Sequence, residues 1–364
     1  MTMVRETERL NQITSPLLAW YDANRRALPW REEVSPYRTW VSEIMLQQTR
    51  AAAVIGYYRR FLETFPSVEA LADAPEERLM KLWEGLGYYS RARNLQKAAR
   101  TVVRQFGGRF PAEYGALLSL PGVGEYTAAA VASAAFALPE PAVDGNVLRV
   151  VTRLADWGAD IADVKTKRAV REALRPAVPA RAEDIRVFNQ ALMELGAVVC
   201  GPNGPPKCPL CPLADMCLAR RAGTAELLPV KSAKKPRRTE ERTVFLFLQN
   251  GKTALRRRPD SGLLAGLWEF PSADGALSAA EAAAQAARWG LTPAEWRRSL
   301  TAKHIFTHVE WHMTGYVLEV SGTGPEDFFW ADGPALDTLA VPSAFSRFVR
   351  EARAALSGQG LSDP

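Results

Sequence analysis

A chain of 364 residues, 47% of them apolar and 24% charged, is long enough for two or three domains with buried cores, which excludes a single small disulfide-stapled fold. Ordinary Gly and Pro usage excludes a collagenous or low-complexity chain, and the Ala-rich run from Ala128 to Leu138 falls well short of the ~20 apolar residues that span a bilayer. Forty-six Lys and Arg against forty Asp and Glu leave a net charge of +6, which favours a polyanionic partner, with nucleic acid the leading candidate.

Residues 15 to 220 read as a run of helices, with apolar positions three and four apart and little strand-like alternation. The clearest helices are Tyr37 to Arg50, Ala52 to Phe65, Glu76 to Glu84, Ser90 to Phe106, Glu125 to Ala137, Val147 to Ala155 and Ile185 to Val199. Pro66, Pro75, Pro111, Pro121 and Pro139 separate them. An all-helical domain over residues 1–229 follows. The stretch KSAKKPRR, Lys231 to Arg238, has five bases and no acid, so 230–241 reads as a solvated basic linker. Beyond it the pattern changes to strand-like runs at Thr243 to Gln249 and Thr314 to Val320, a helix at Ala279 to Trp289 and a terminal helix at Ser343 to Ala355. Residues 242–364 are therefore expected to form a smaller α+β domain.

All four cysteines fall between Cys200 and Cys217, and the opening residues MTMVRETERLNQ have neither the apolar core nor the cleavage site of a secretory leader. The expected compartment is the cytosol, where such a cluster is a metal site before it is two disulfides. Cys200, Cys208, Cys211 and Cys217 are spaced C-x7-C-x2-C-x5-C, which suits zinc or an iron–sulfur cluster. Structural zinc sites usually pair two C-x2-C knuckles, and only one exists here, so a 4Fe-4S cluster is the favoured expectation.

Leu120-Pro121-Gly122-Val123-Gly124 lies between two expected helices, Glu113 to Ser119 and Glu125 to Ala137, a helix-hairpin-helix pattern. Gly122, Val123 and Gly124 would present backbone amides at a helix N-terminus, where a DNA phosphate binds without reading sequence. Glu43 sits among apolar neighbours at the expected start of a helix that ends in consecutive amides. It is either a carboxyl of raised pKa or a helix-start glutamate favoured by the dipole. Asp144, in Val143-Asp144-Gly145-Asn146, directly precedes a helix and reads at least as an N-cap. Two carboxyls, one protonating a leaving group and one facing an oxocarbenium ion, meet the requirement for glycosidic cleavage. No histidine precedes His304, so carboxylates must supply acid and base to the helical domain. Arg93, Lys97, Arg100 and Arg104 recur at helical spacing, either as a phosphate-tracking face or as a merely solvated one. His304, His308 and His312 are four apart, but their β-prone flanks argue for strands rather than a helical metal face.

Together these motifs resemble the MutY-type adenine DNA glycosylases of the endonuclease III superfamily, over about Leu17 to Arg350. The matching blocks, in family order, are LPWR (Leu28 to Arg31), SEIMLQQT (Ser42 to Thr49), LWEGLGYYSRARNL (Leu82 to Leu95), LPGVGEYTA (Leu120 to Ala128), AVDGNVLRV (Ala142 to Val150), FNQALMELGAVVC (Phe188 to Cys200) and LLAGLWEFP (Leu263 to Pro271). The resemblance implies a monomer that acts on double-stranded DNA and removes adenine paired with 8-oxoguanine or guanine, after flipping the base from the duplex. It implies one 4Fe-4S cluster on Cys200, Cys208, Cys211 and Cys217. It makes Glu43 the acid that protonates nitrogen 7 of adenine and Asp144 the group that stabilises the oxocarbenium ion, with Tyr126 and Asn146 positioning it. Arg26, Trp30, Leu46 and Gln190 match the adenine pocket, and Gln48, Thr49, Leu86 and Tyr88 match residues beside the lesion base. Relatives that cut the strand by Schiff-base chemistry carry lysine where this chain has Tyr126, so a monofunctional glycosylase is expected.

The second domain resembles a Nudix fold that recognises 8-oxoguanine through a Phe-Ser-His turn, here Phe306-Thr307-His308. Its hydrolytic glutamate cluster is replaced by SAAEAAAQAARWG, Ser278 to Gly290, in which Glu281 is the one acid, so nucleotide hydrolysis is not expected. A second departure is the seven residues between Cys200 and Cys208, where the family usually has six. Competing readings are a pyrimidine glycosylase with lyase activity, opposed by Tyr126, and a lesion sensor without excision, opposed by the two retained carboxyls. A free-nucleotide hydrolase is opposed by the missing glutamates.

Overall fold

The computed structural model describes residues 7–233 and 236–357. They divide into two units, Met1–Asp73 with Arg93–Ala233, and Ala74–Ala92 with Lys234–Pro364. Residues 74–92, expected in the helical domain, therefore group with the second unit, where Lys81 Nζ donates to the Leu339 carbonyl at 2.9 Å.

The described part of the first unit is helical, and local chemistry sets the helix ends. Ser35 caps helix Pro36–Leu46 by accepting from Arg38 N, with Pro36 at the first position, where its missing N–H costs nothing. The helix stops at Leu46 rather than Arg50, because Gln47 leaves the helical region and Gln48 has φ +57°. Glu43 consequently lies in the last turn of its helix, not at its start. Helix Glu125–Phe136 is half alanine, and residues Thr127 to Ala134 are all buried. Such small side chains let it pack closely against both Pro36–Leu46 and helix Ala182–Val198. Val147, Val151 and Leu154 of helix Gly145–Leu154 meet Phe188, Leu192 and Leu195 of Ala182–Val198 and Leu17 and Tyr21 of helix Thr14–Asn24 in one core. Among the described residues no helix is long and apolar enough to cross a membrane.

In the second unit, strands β1 (Arg238–Gln249), β2 (Lys252–Arg257), β3 (Trp268–Glu269), β4 (Ser272–Asp274), β5 (Leu291–Ile305), β6 (Val309–Gly322) and β7 (Phe328–Ala331) form one sheet. Its order is β3-β2-β1-β6-β5, with β4 also paired to β1 and β7 to β2. Among the described strands only β1 and β6 run parallel. Alternate residues of β1 feed opposite faces, as the two-residue period of a strand requires. Val244, Leu246 and Leu248 pack with Phe345 and Phe348 of the C-terminal segment, whereas Phe245 and Phe247 pack with Ala282 and Ala286 of helix Ala279–Arg288. The helical-then-α+β class holds.

The boundaries are less faithful. Strand β1 begins at Arg238, so the basic linker ends before 241; its Lys234 and Lys235 lie outside the described residues. The linker's start is tied to the first unit by Ile161 N donating to Val230 O and Ser232 Oγ donating to Asp160. Apart from its end around His304, β5 was not foreseen, because most of its side chains are exposed and carry no alternating apolar signal. The terminal helix expected at Ser343 opens with a 3-10 turn, Ser343–Phe345, before Ser346–Leu356.

Candidate active site

Glu43 is partly buried near the C-terminal end of its helix, where the negative end of the dipole opposes a charged carboxylate. Burial raises its pKa, the Tyr126 hydrogen bond lowers it, the Asp144 charge raises it and the Arg31 charge lowers it, leaving it pushed up to about 7. The Tyr126 hydroxyl donates to Glu43 Oε2 at 2.5 Å and lies 3.5 Å from Met193 Sδ. A carboxyl poised near neutrality can give a proton and later take one back.

Asp144 caps helix Gly145–Leu154, its Oδ1 accepting from Val147 N at 2.8 Å and its Oδ2 from Asn146 Nδ2 at 2.7 Å. Capping and poising coexist here. Burial pushes the carboxyl above its usual range, against the hydrogen bonds from Val147 and Asn146. Asn146 is itself held through Oδ1 by Arg149 Nη2 at 2.9 Å, and Arg149 also donates to the Gly196 and Cys200 carbonyls, both at 2.7 Å. Gly196 is required by the close helix approach, since a Cβ there would meet Asn146 Cβ at 2.6 Å.

Of the expected pocket residues, Trp30 is buried edge-on to Tyr58, with ring centroids 5.7 Å apart, and Leu46 is partly buried. Gln190 Oε1 accepts from the Tyr21 hydroxyl at 3.0 Å. Arg26 forms a bidentate pair with Glu194, at 2.7 and 2.8 Å, and Arg31 joins the same carboxylate at 2.8 Å. Although burial alone would raise it, the hydrogen bonds from Arg26 and Arg31 bring Glu194 down to about 2. Glu194, Arg31, Tyr21, Arg149 and Met193 were missed as site residues. The available signal was that Glu194 lies one helical turn from Gln190 and Arg31 next to Trp30.

Gln48 is exposed on the turn after Leu46, with Thr49 partly buried beside it. In the helix-hairpin-helix turn Gly122 has φ +75°, Val123 is buried, and Gly124 caps helix Glu125–Phe136 with extended backbone. Lys97, Arg100 and Arg104 are exposed on one helix, although Arg100 Nε donates to the Ala72 carbonyl at 3.0 Å. In the second unit Leu86 is buried rather than presented to solvent, whereas Tyr88 is exposed at φ +48°. The Tyr88 and Thr307 hydroxyls are 2.8 Å apart, and Phe306 packs on Trp311 with centroids at 4.8 Å. His308 lies in the turn joining β5 and β6, and its carbonyl accepts from Arg238 N. His304 lies on β5 and His312 on β6, where His312 Nε2 bonds Glu310 at 2.8 Å.

The four cysteines are unpaired and partly buried. Two 3-10 turns, Cys208–Leu210 and Ala214–Met216, shape their loop, and Lys207 N donating to Val199 O closes the longer interval after Cys200. Gly204, at φ +71°, turns the chain inside that interval, so the extra residue is accommodated locally. Burial, with smaller contributions from Cys200, Cys217 and Cys208 and against a backbone hydrogen bond from Leu213, pushes the Cys211 thiol up to about 12. Among the described residues no three His, Cys, Asp or Glu side chains are drawn together as the ligand set of a metal ion.

Residues 41–176 match the HhH-GPD superfamily of base excision DNA repair proteins, and residues 243–351 match the NUDIX domain. Human adenine DNA glycosylase is 35% identical across 96% of this chain and 75% of its own length. The mouse adenine DNA glycosylase is 37% identical across 92% of this chain and 77% of its own length. The chain belongs to the adenine DNA glycosylase family. Among solved structures, a thermostable thymine-DNA glycosylase superposes with a TM-score of 0.53 at 31% identity, covering 60% of this chain and 99% of that one. Adenine DNA glycosylases are DNA N-glycosylases, and the Glu43–Tyr126–Asp144–Asn146 group lies within the stretch matched to the repair superfamily.

Proposed function

We propose that this chain is a monofunctional adenine DNA glycosylase that excises adenine paired with 8-oxoguanine or guanine. The observation that carries the reading is Glu43, at about 7, hydrogen-bonded to Tyr126 and within electrostatic reach of Asp144. Protonated Glu43 gives its proton to nitrogen 7 of the flipped adenine, and the C1′–N9 electron pair leaves with the base. The Asp144 carboxylate, oriented by Asn146 and Val147 N, faces the oxocarbenium ion left behind. Glu43, now ionised, accepts a proton as water adds to C1′. Tyr126 offers no amine for a Schiff base, which supports hydrolysis without strand cleavage.

The hairpin amides of residues 122–124 and the exposed Lys97, Arg100 and Arg104 suit phosphates of double-stranded DNA. In the first unit Gln48 and Thr49 are read as DNA-contacting groups; in the second unit, taken by itself, Leu86, Tyr88, Phe306, Thr307 and His308 are read as lesion-recognition groups. Glu281, the one acid of Ser278 to Gly290, accepts from Ser278 N and Oγ in a capping box, and the lack of a glutamate cluster in that stretch supports recognition without hydrolysis. Cys200, Cys208, Cys211 and Cys217 would hold a 4Fe-4S cluster. The donor set fits: four unpaired thiols share one loop, and Arg153 Nη1 donates to Cys200 Sγ at 3.2 Å. When bound, the cluster supplies a structural crosslink for a loop rich in Gly and Pro.

The test is single-turnover reaction of a duplex carrying adenine opposite 8-oxoguanine, with free adenine and strand breaks scored separately. Free adenine with breaks only after alkali is expected. Binding without adenine release would favour a lesion sensor, and prompt breaks would overturn the reading of position 126.

A further inference from the structure

The carboxylate of Glu194 is nearly sealed from solvent, its side chain 1% exposed, and its two oxygens accept four hydrogen bonds. Oε1 takes the backbone N of Arg26 at 3.1 Å and its Nε at 2.7 Å, and Oε2 takes Arg26 Nη2 and Arg31 Nη2, both at 2.8 Å. Four donors are about the full capacity of a carboxylate. Arg31 is further fixed by donating through Nη1 to the Arg26 carbonyl at 3.0 Å, with its guanidinium 5.4 Å from the Tyr21 ring centroid. Glu43 is faced by Tyr126, Asp144 and Arg31, and Arg31 is faced by Glu194 and Tyr21. Arg31 is thus a cation paired with Glu194 that also acts on Glu43, and a closer approach to Glu43 would favour its ionised form and strip its proton.

We infer that Glu194 is a positioning residue: it reserves Arg26 and Arg31 as its own counter-ions, so that Arg31 stays paired with Glu194 and leaves Glu43 its proton. The inference rests on the reading of Glu43 as general acid. It concerns a residue that donates no proton and reaches the chemistry only through Arg31. Removing the Glu194 charge frees Arg31 to turn towards Glu43, which then ionises at lower pH. A general acid that ionises earlier gives a rate that falls earlier as pH rises.

The experiment is the pH profile of single-turnover excision for the wild-type chain and for Glu194→Gln, Glu194→Asp, Glu194→Gln with Arg31→Gln, and Glu43→Gln. In Glu194→Gln the descending limb is expected to move about one unit lower, so that the rate drops roughly tenfold near pH 8 and changes little near pH 5.5. Glu194→Asp keeps the charge and is expected to keep the wild-type limb. The added Arg31→Gln is expected to bring the limb back up at least to its wild-type position, because the released cation is gone. A purely structural role would lower the active fraction equally at every pH and would not be corrected at Arg31. An unmoved limb in Glu194→Gln, or a moved limb that Arg31→Gln leaves in place, overturns the inference. If Glu194→Gln does not fold, Arg31→Lys is read instead: it keeps the cation but loses the guanidinium held between Glu194 and the Arg26 carbonyl, so its limb is expected to move downward, and an unmoved one overturns the inference equally. Excision by Glu43→Gln would instead sink the assignment of the acid, which separates the two failures.

Discussion

Tyr126 stands on one helix and Glu43 on another, and the phenol donates to the carboxyl across 2.5 Å. That bond counteracts the burial that lifts Glu43, and the phenol's own pKa is held well above its usual value, first by burial and then by the charges of Glu43 and Asp144. Tyr126 therefore stays a donor across the working range. Tyr126→Phe removes the stabiliser of the ionised carboxylate, so Glu43 should hold its proton to higher pH. The descending limb of the excision profile is expected to move upward, opposite to the shift from Glu194→Gln, and a downward shift would show that the phenol does not act through Glu43.

Poising an acid near 7 also has a consequence for stability. The folded-state pKa of Glu43 is raised above its unfolded value, so its contribution is fully present below about pH 4.3 and is lost as pH rises through about 7. Glu43→Gln should therefore melt at higher temperature than the wild-type chain near pH 8, while the two should differ little near pH 4. Thermal melts across that window check it; a variant less stable at pH 8 would contradict the raised pKa.

Gly196→Ala tests the helix contact behind Asn146. The added Cβ would lie 2.6 Å from Asn146 Cβ and 3.0 Å from its carbonyl, neither of which can move away cheaply. Overpacking of this kind costs roughly 1–3 kcal/mol. Displacing Asn146 also disturbs the 2.7 Å bond that orients Asp144, so excision should fall by more than tenfold with DNA affinity largely kept. A binding assay beside single-turnover kinetics separates the two effects.

Gly122→Ala should give the reverse pattern. At φ +75° an alanine costs roughly 1–2 kcal/mol, and its Cβ would also meet Asn94 Cβ at 2.6 Å. The hairpin amides should shift while Glu43, Tyr126 and Asp144 stay in place. Weaker binding to any duplex, with the rate at saturating enzyme nearly unchanged, is the expected result.

The residues at the centre of the site were legible because each sits in a short contiguous motif: Glu43 in SEIMLQQT, Tyr126 in LPGVGEYTA, Asp144 and Asn146 in AVDGNVLRV. Their neighbours were harder to read. The Arg26–Glu194 pair joins residues 168 apart in sequence, and nothing local to either position announces the other. Glu43 was assigned to the wrong end of its helix because Gln47 and Gln48 continue a helix-compatible composition, and only the left-handed backbone at Gln48 ends it. In the second unit β1 and β6 were legible through their apolar runs. β5 was not, because an edge strand with one neighbour exposes most of its side chains.

The second unit borrows residues 74–92 from the first half of the chain, so the polypeptide passes between units at 73/74, 92/93 and 233/234. A protease cutting the basic stretch after Ala233 would not release a self-sufficient C-terminal fragment. Lys81, which donates to Leu339, and Tyr88, which meets Thr307, would remain on the other piece. The nicked halves are interlocked by a shared unit, and should travel together until it is denatured.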